Sequence, residues 1–549
     1  MTRKKQSSDV RIEEMPSRRI HFVSLGCPKN RVDSEVMLGV AKRAGYDHVG
    51  EAEDADVIVV NTCGFIGEAK KESIDTIFEM ARLKDEGHCK KLVVAGCLSQ
   101  RHPDEIAAEM PEVDHVLGSS DMLALERVLS GQAERILVGN PADWVVRAAD
   151  PRALSTPSGS AYVKIAEGCN RTCSFCVIPQ LRGLQRSRPV EDVVNEVERL
   201  VSMGVKEINL ISQDTIAYGR DLSGPERPSL SDLVRRIADV SGVHWVRLFY
   251  LYPETITAEL IELLAHHERV VPYVDMPLQH VADGMLRRMK RGHGGDRLRK
   301  LVTRMRTSIP DLVFRTAFIV GHPGETDEEF AELCEFVKWA EFDRVGVFRY
   351  SDEEGSGSVK LEGKVPAKTA ASRHRKLMAL QRKISHAKNA AFIGRELEVL
   401  VEGTSDEHEY VQMGRHRGQA PCAGTDHRAR AGRTARAAPR RPLLAAGTRP
   451  HGRLGRARAD RWTERAGPAE QSGNRQPRDP GFRRGDAHGK PQDHQERHPG
   501  RGEGTPRPFH GPGQRAAGAA RARLPGGFQP LATVVEESAA GPVGRPRAE

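Results

Sequence analysis

Three cysteines within eight residues constrain this chain more than any other feature: Cys169-Asn-Arg-Thr-Cys173-Ser-Phe-Cys176, spaced C-x3-C-x2-C. Gly168 stands just before the run and Pro179 just after it, which predicts a loop rather than a helix face. Thiols packed so densely hold a metal or pair as disulfides. A closed structural zinc site needs a fourth ligand nearby, usually a second C-x2-C or an H-x3-H, and none follows. Three thiolates alone suit a [4Fe–4S] cluster with one iron left open. Zinc and disulfides stay as the alternatives.

The spacing resembles the C-x3-C-x-aromatic-C signature of radical S-adenosylmethionine (SAM) enzymes, with Phe175 at the aromatic place. The resemblance implies that the amino and carboxyl groups of SAM's methionine chelate the open iron. It implies that one electron then breaks the S–C5′ bond and releases a 5′-deoxyadenosyl radical. The protein's part is placement and exclusion of water. The substrate is left open.

Upstream, over residues 19–147, three apolar strand-like runs each end at a cysteine. His21 to Gly26 leads to Cys27, Asp56 to Thr62 to Cys63, and Lys91 to Gly96 to Cys97. Helical patterns follow each, at Val32 to Ala44, Ile66 to Leu83 and Asp104 to Met110. Buried strand alternating with helix predicts a parallel α/β sheet. Ligands bind outside the carboxyl ends of such strands, so Cys27, Cys63 and Cys97 can converge although far apart in sequence. Three converging thiolates suggest a second cluster with an open iron. The alternative is three separate buried cysteines, the reading also given to Cys89 and Cys334. Gly26 and Gly96 fit tight turns that bring backbone close to a ligand.

With both sets in view, residues from about Arg18 to Ala420 resemble the radical SAM methylthiotransferases. Ser24-Leu-Gly-Cys-Pro-Lys-Asn30, Asp33-Ser-Glu35, Asn61-Thr-Cys-Gly-Phe-Ile66 and Gly96-Cys-Leu-Ser-Gln-Arg101 are similar to the RimO branch. That branch modifies an aspartate of small-subunit ribosomal protein twelve. The tRNA-modifying MiaB branch tends to have Gln-Met where Pro28 and Lys29 stand.

A linker rich in Ala, Pro and Ser, Ala148 to Ser160, leads into a second α/β region, residues 155–390. Six strands are expected, at Tyr162–Ile165, Glu207–Ser212, Trp245–Phe249, Tyr273–Met276, Val313–Ile319 and Val345–Phe348. Six are fewer than the eight of a full barrel, and fit the open (β/α)6 barrel of radical SAM enzymes. Functional residues gather at the strands' carboxyl ends, where Gln213-Asp214, Gln279-His280 and Gly321-His-Pro-Gly-Glu325 stand. The resemblance implies that Phe175, Gln213 and Gly321 contact the cofactor, and that Arg182-Gly183 and Arg186-Ser-Arg-Pro189 line the mouth of the site. His280 and His322 are expected to be hydrogen-bonded loop residues. No side chain is assigned as a catalytic acid or base.

After a basic helix pattern, Arg373 to Ala391, two paired strands, Leu397–Val401 and Glu409–Met413, resemble the start of a TRAM β-barrel over 393–420. Residues 421–549 then hold 24 Arg against one Lys, and 25 basic against 12 acidic side chains. The overall net charge of +9 belongs to this tail, and the body is slightly acidic. Such a composition predicts disorder, as do the charged residues 1–18. An RNA-binding tail of non-specific kind is one reading. Because selection for charge alone accepts Lys as readily as Arg, a change of reading frame that replaced most of TRAM is preferred. No apolar run approaches a membrane span and no signal peptide is evident, so a cytoplasmic protein with reduced thiols is expected.

The resemblance implies a full reaction. Cys169, Cys173 and Cys176 hold the cluster that cleaves SAM; Cys27, Cys63 and Cys97 hold a second cluster whose open iron carries the transferred sulfur. A second SAM gives the methyl group. An electron donor and a sulfur donor come from outside the chain. The rivals are a tRNA adenosine methylthiotransferase and a non-catalytic iron–sulfur scaffold on the ribosome.

Overall fold

The computed structural model describes residues 18–155, 159–224, 227–393, 395, 397–405, 408–418, 421–424 and 434–437. All of these belong to one compact unit. The disorder expected for 1–18 and 421–549 falls, apart from Arg18, Pro421–Gly424 and Thr434–Ala437, on residues that are not described.

Strands β1 (Arg18–Ser24), β2 (Tyr46–His48), β3 (Val57–Thr62), β4 (Lys91–Gly96), β5 (His115–Leu117) and β6 (Ile136–Leu137) form one parallel sheet in the order β2-β1-β3-β4-β5-β6. The runs Val57-Ile-Val-Val60 and Leu92-Val-Val-Ala95 are buried throughout, as a sheet covered on both faces requires. The two-residue period sorts them. Val57, Val59 and Val93 enter one core with Val36, Met37 and Val40 of helix Pro28–Arg43. Ile58, Val60, Leu92 and Val94 enter the other with Ile77 and Ile106 of helices Gly67–Ala81 and Pro103–Glu109.

The second region carries β7 (Ser160–Lys164), a two-residue ribbon of β8 (Ala166–Glu167) with β9 (Arg186–Ser187), then β10 (Glu207–Ile211), β11 (Trp245–Leu248), β12 (Val270–Asp275), β13 (Val313–Val320) and β14 (Arg344–Arg349). β7 and β10–β14 are all parallel and lie in sequence order, which is the six-stranded open arrangement expected. The barrel's edges are β7 and β14, and the first region is bonded near both. Asp33 pairs with Lys164 on β7. Beside β14, Gly67 N donates to Ser351 Oγ at 3.0 Å, and Glu353 takes Lys70 at 2.9 Å and Arg101 at 2.7 Å. The first region thus spans the open side.

The segment expected to be a mere linker is packed. Arg152, 2% exposed, bridges Glu35 of the first region and Glu196 of the second. A Cβ at Gly39 would lie 2.5 Å from its backbone. Paired carboxylates hold this stretch where Ala, Pro and Ser alone suggested freedom.

Past helix Ala367–Ala390 come β15 (Leu397–Ser405), β16 (His408–His416), β17 (Pro421–Gly424) and β18 (Thr434–Ala437) in the antiparallel order β17-β16-β15-β18. The disorder expected from residue 421 on is corrected at Pro421–Gly424 and Thr434–Ala437, which pair as the outer strands of this sheet. Backbone pairing needs no apolar side chains, so two short runs of the Arg-rich segment supply it. Leu400 of β15 and Val32 of the first helix both join Phe249 and Tyr273 inside the barrel.

Among the described residues, no helix is long and apolar enough to cross a membrane.

Candidate functional site at the barrel mouth

Cys27, Cys63 and Cys97 stand one residue or a few past β1, β3 and β4, which are adjacent and in register, Ser24 with Asn61 and Thr62 with Gly96. Parallel neighbours ending at one level bring the three thiols to one place. Gly26 and Gly96 have φ of +84° and +100°, the left-handed region expected of them. A Cβ at Gly26 would lie 3.2 Å from Cys63 Sγ. Asn30 ties the strand ends together: Nδ2 donates to Thr62 O at 2.9 Å and Leu25 O at 3.1 Å. Burial pushes the Cys63 and Cys97 thiols well up, and mutual repulsion with Cys27 adds to it.

Cys169, Cys173 and Cys176 lie on an irregular loop, as predicted, between β8 and helix Ile178–Arg182. The loop is pinned. Cys169 N donates to Gly183 O at 3.1 Å, Ser174 Oγ to Arg288 O at 2.7 Å, and Ser358 N to Ser174 O at 2.7 Å. Sγ of Cys169 accepts from Arg171 N at 3.4 Å, and Sγ of Cys173 from Arg291 Nη1 at 3.4 Å. Burial raises the Cys169 and Cys176 thiols to about 11 and about 12, with the neighbouring cysteine charges contributing. Releasing those protons is therefore a cost that any bound metal must meet. Cys89 and Cys334 and the six cysteines of the two sets are free thiols. Among the described residues, no three His, Cys, Asp or Glu side chains close on a single-ion site.

One buried ionic network ties Cys97 to the helix that follows the loop set. Arg182, on the helix that follows Cys176, donates from Nε to Cys97 Sγ at 3.3 Å, from Nη1 to Asp33 at 2.8 Å and from Nη2 to Asn30 Oδ1 at 2.6 Å. Lys164 pairs with Asp33 and, at 2.7 Å, with Glu167, which also accepts from Gln213 Nε2. Burial alone would lift the Glu167 carboxyl, but Lys164 and Arg182 hold it down at about 2. Lys29, two residues past Cys27, places its ammonium 3.0 Å from the ring centre of Tyr250. Burial lowers it to about 8, against the pull of Cys27 and Asp275.

The remaining expected residues fall as follows. Phe175 packs on Ala282, Met285 and Met289, beside Ile319. Gln213 is half-buried with Oε1 unpartnered, and Gly321, φ +79°, donates N–H to Glu325 at 2.6 Å. A Cβ at Gly321 would meet Ala370 Cβ at 2.5 Å, so helix packing alone demands glycine there. His280 and His322 are buried loop residues, His280 beside Glu325 at 3.4 Å and His322 Nε2 at 2.8 Å from Ser358 Oγ. Cys89 and Cys334 are buried apart from both sets. Of the arginines expected at the mouth, only Arg182 reaches a cysteine. Arg186 serves the carbonyls of Leu184 and Pro141, and Arg188, fully buried, serves Lys164 O, Asp192 and Glu196. Sequence reasoning passed over Lys164, Glu167 and Tyr250. A lysine inside an otherwise buried strand beside the cysteine loop was the available signal.

The mouth also holds buried polar atoms with no hydrogen-bond partner among the described residues: Arg171 Nη2, Gln213 Oε1, Asp214 Oδ1 and Arg291 Nε. Native proteins leave few such groups, and both donors and acceptors are present, which suits a polar ligand carrying both signs.

Comparison with known proteins agrees in region. Residues 19–118 match the model of Uncharacterized protein family UPF0004, and residues 163–337 that of the Radical SAM superfamily. Ribosomal protein uS12 methylthiotransferase RimO of Sorangium cellulosum is 76% identical over 411 residues, covering 74% of this chain and 84% of that one. Its namesake from Myxococcus xanthus is 51% identical, covering 75% and 86%. Among solved structures, the radical SAM methyltransferase TsrM from Kitasatospora setae aligns with TM-score 0.44 at 16% identity, covering 61% of this chain and 75% of that one. The chain belongs to the RimO family of radical SAM methylthiotransferases.

Proposed function

We propose that this enzyme transfers a methylthio group to the β-carbon of an aspartate in ribosomal protein uS12, using two [4Fe–4S] clusters and SAM. What carries the reading is the ionic network that ties Cys97 and the first region to the helix following the loop cysteines, together with relatives of 76% and 51% identity that bear this name. The reading assigns Cys169, Cys173 and Cys176 to the cluster that works with SAM. It assigns Cys27, Cys63 and Cys97 to a second cluster serving sulfur transfer. When bound, the first cluster and SAM supply a 5′-deoxyadenosyl radical. A radical is needed because the target C–H has no leaving group and no readily removed proton, so acid–base chemistry has no handle.

The chain's own residues prepare the site. Arg171, whose Nε is held by Asp214 at 2.6 Å, keeps Nη2 free for a carboxylate such as that of SAM's methionine. Asp214 Oδ1 is free for its amino group. Phe175 backs the loop apolarly, and Gln213 is oriented by Glu167. Arg182 lowers the cost of deprotonating Cys97 by a charge-assisted hydrogen bond in a dry setting. Bonding of the first region near both barrel edges limits water at the mouth, which protects a short-lived radical. An electron donor and a sulfur donor complete the reaction from outside, and work on a ribosomal protein suits the cytoplasm. RNA contact through the Arg-rich tail concerns residues that are not described.

The test is the mass of uS12 after incubation with anaerobically reconstituted full-length protein, SAM, sulfide and a reductant. One methylthio increment, mapped to an aspartate, is expected. Unmodified uS12 alongside methylthiolated tRNA would favour the tRNA-modifying rival instead.

A further inference from the structure

We propose that Lys29 recognises the side-chain carboxylate of the target aspartate and so selects an acidic acceptor; this rests on the function proposed above. Lys29 is 6% exposed, yet among the described residues its ammonium has no carboxylate and no hydrogen-bond acceptor, only the ring of Tyr250. The nearby carboxylates are engaged elsewhere. Asp33 is held by Lys164 and Arg182, Glu35 by Arg152, Asp275 by Arg315 at 2.9 Å, and Glu167 by Lys164. A largely buried lysine without an ion-pair partner is costly, and an aromatic face recovers only part of that cost.

Cys27 and Asp275 favour the charge only at a distance, without a hydrogen bond or ion pair to Lys29 among the described residues. Lys29 is in the first turn of helix Pro28–Arg43, which has no acidic residue in that turn. The helix dipole therefore opposes a positive charge at this end. The ring beneath it is unusual as well. Tyr250 has φ +59°, a left-handed conformation that a bulky residue seldom adopts. Two unfavourable features that meet at one point in a protein mark a functional site more often than a structural one.

The position fits the task. Lys29 follows Cys27 by two residues and points from the first region into the barrel mouth, onto Tyr250 just past β11. A carbon brought to the Cys27 side of the mouth comes near this ammonium. In aspartate the carboxylate is bonded directly to the β-carbon, so holding the charge fixes the reacting carbon one bond away.

The experiment uses anaerobically reconstituted full-length protein, as wild type, Lys29→Met and Lys29→Arg. The probes are uS12 and uS12 with its target aspartate changed to Asn. Equilibrium binding and iron content are read. Wild type should prefer the aspartate form by about 30-fold, ~2 kcal/mol at ~1.4 kcal/mol per tenfold. Lys29→Met should bind both forms equally weakly with its iron unchanged, and Lys29→Arg should keep a reduced preference. Equal binding of both forms by wild type, a preference that survives Lys29→Met, or iron loss from that variant would each overturn the proposal. The last would mean that Lys29 merely balances the thiolate charge at Cys27. The wild-type and Lys29→Arg arms decide the matter should Lys29→Met fail to fold. Failure of wild type to methylthiolate uS12 at all would count against the parent reading, whereas the aspartate preference bears on Lys29 alone.

Discussion

The two cysteine sets reach one barrel mouth by opposite routes. Cys169, Cys173 and Cys176 are gathered by eight residues of pinned loop, so their spacing is written in local sequence. Cys27, Cys63 and Cys97 are gathered by the register of three parallel strands, so their meeting depends on a whole sheet. A local site tolerates damage elsewhere in the fold. A topological site fails whenever strand ends shift, which suits a group added to the chemistry rather than one that starts it.

The largest effect should come from the loop. Replacing Cys169, Cys173 and Cys176 by Ala should remove about half of the roughly eight irons expected of two cubane clusters and abolish 5′-deoxyadenosine formation. Iron analysis and product chromatography check this, and full iron content would refute the assignment of the loop.

Next is the joint between the sets. Arg182→Met strips Asp33, Asn30 and Cys97 of a buried partner. Denaturant unfolding should show a loss of about 3 kcal/mol, and iron should fall in the strand-end set before the loop set. A loss below ~1 kcal/mol would mean that the network is not holding the two regions together.

A smaller effect separates register from loop more finely. Gly96→Ala forces a Cβ within 2.3 Å of Asn61 Oδ1 and 2.7 Å of Thr62 O at φ +100°. It should cost about 1–3 kcal/mol and lower second-cluster iron while SAM cleavage persists. The smallest effect is expected at the two remaining buried cysteines. Cys89→Ala and Cys334→Ala should leave iron at the wild-type level and cost about 1 kcal/mol each in unfolding experiments.

Much of this was legible in the sequence, for identifiable reasons. Strand runs such as Val57-Ile-Val-Val60 are β-branched and apolar throughout, and their ends carry the cysteines, so the sheet and the convergence of Cys27, Cys63 and Cys97 could be read together. The C-x3-C-x2-C loop needs no tertiary information at all. What escaped was set by tertiary pairing. Arg152 sits in a linker-like stretch, and only folding brings Glu35 and Glu196 to it. Arg188 reads like a mouth arginine until Glu196, eight residues on, is seen to bury it. Strands β17 and β18 pair through backbone, where composition carries little signal. Lys29 stood in a quoted motif, but its lack of a partner shows only when every neighbouring carboxylate has been traced.

The division of labour between loop and sheet is tested most directly by the Cys27→Ala, Cys63→Ala, Cys97→Ala variant, assayed for iron, 5′-deoxyadenosine and the mass of uS12. It should retain about four irons, one cluster's worth, cleave SAM with a strong reductant, and leave uS12 unmodified. A variant that keeps its loop cluster but cannot cleave SAM, or one that still methylthiolates uS12, would contradict it.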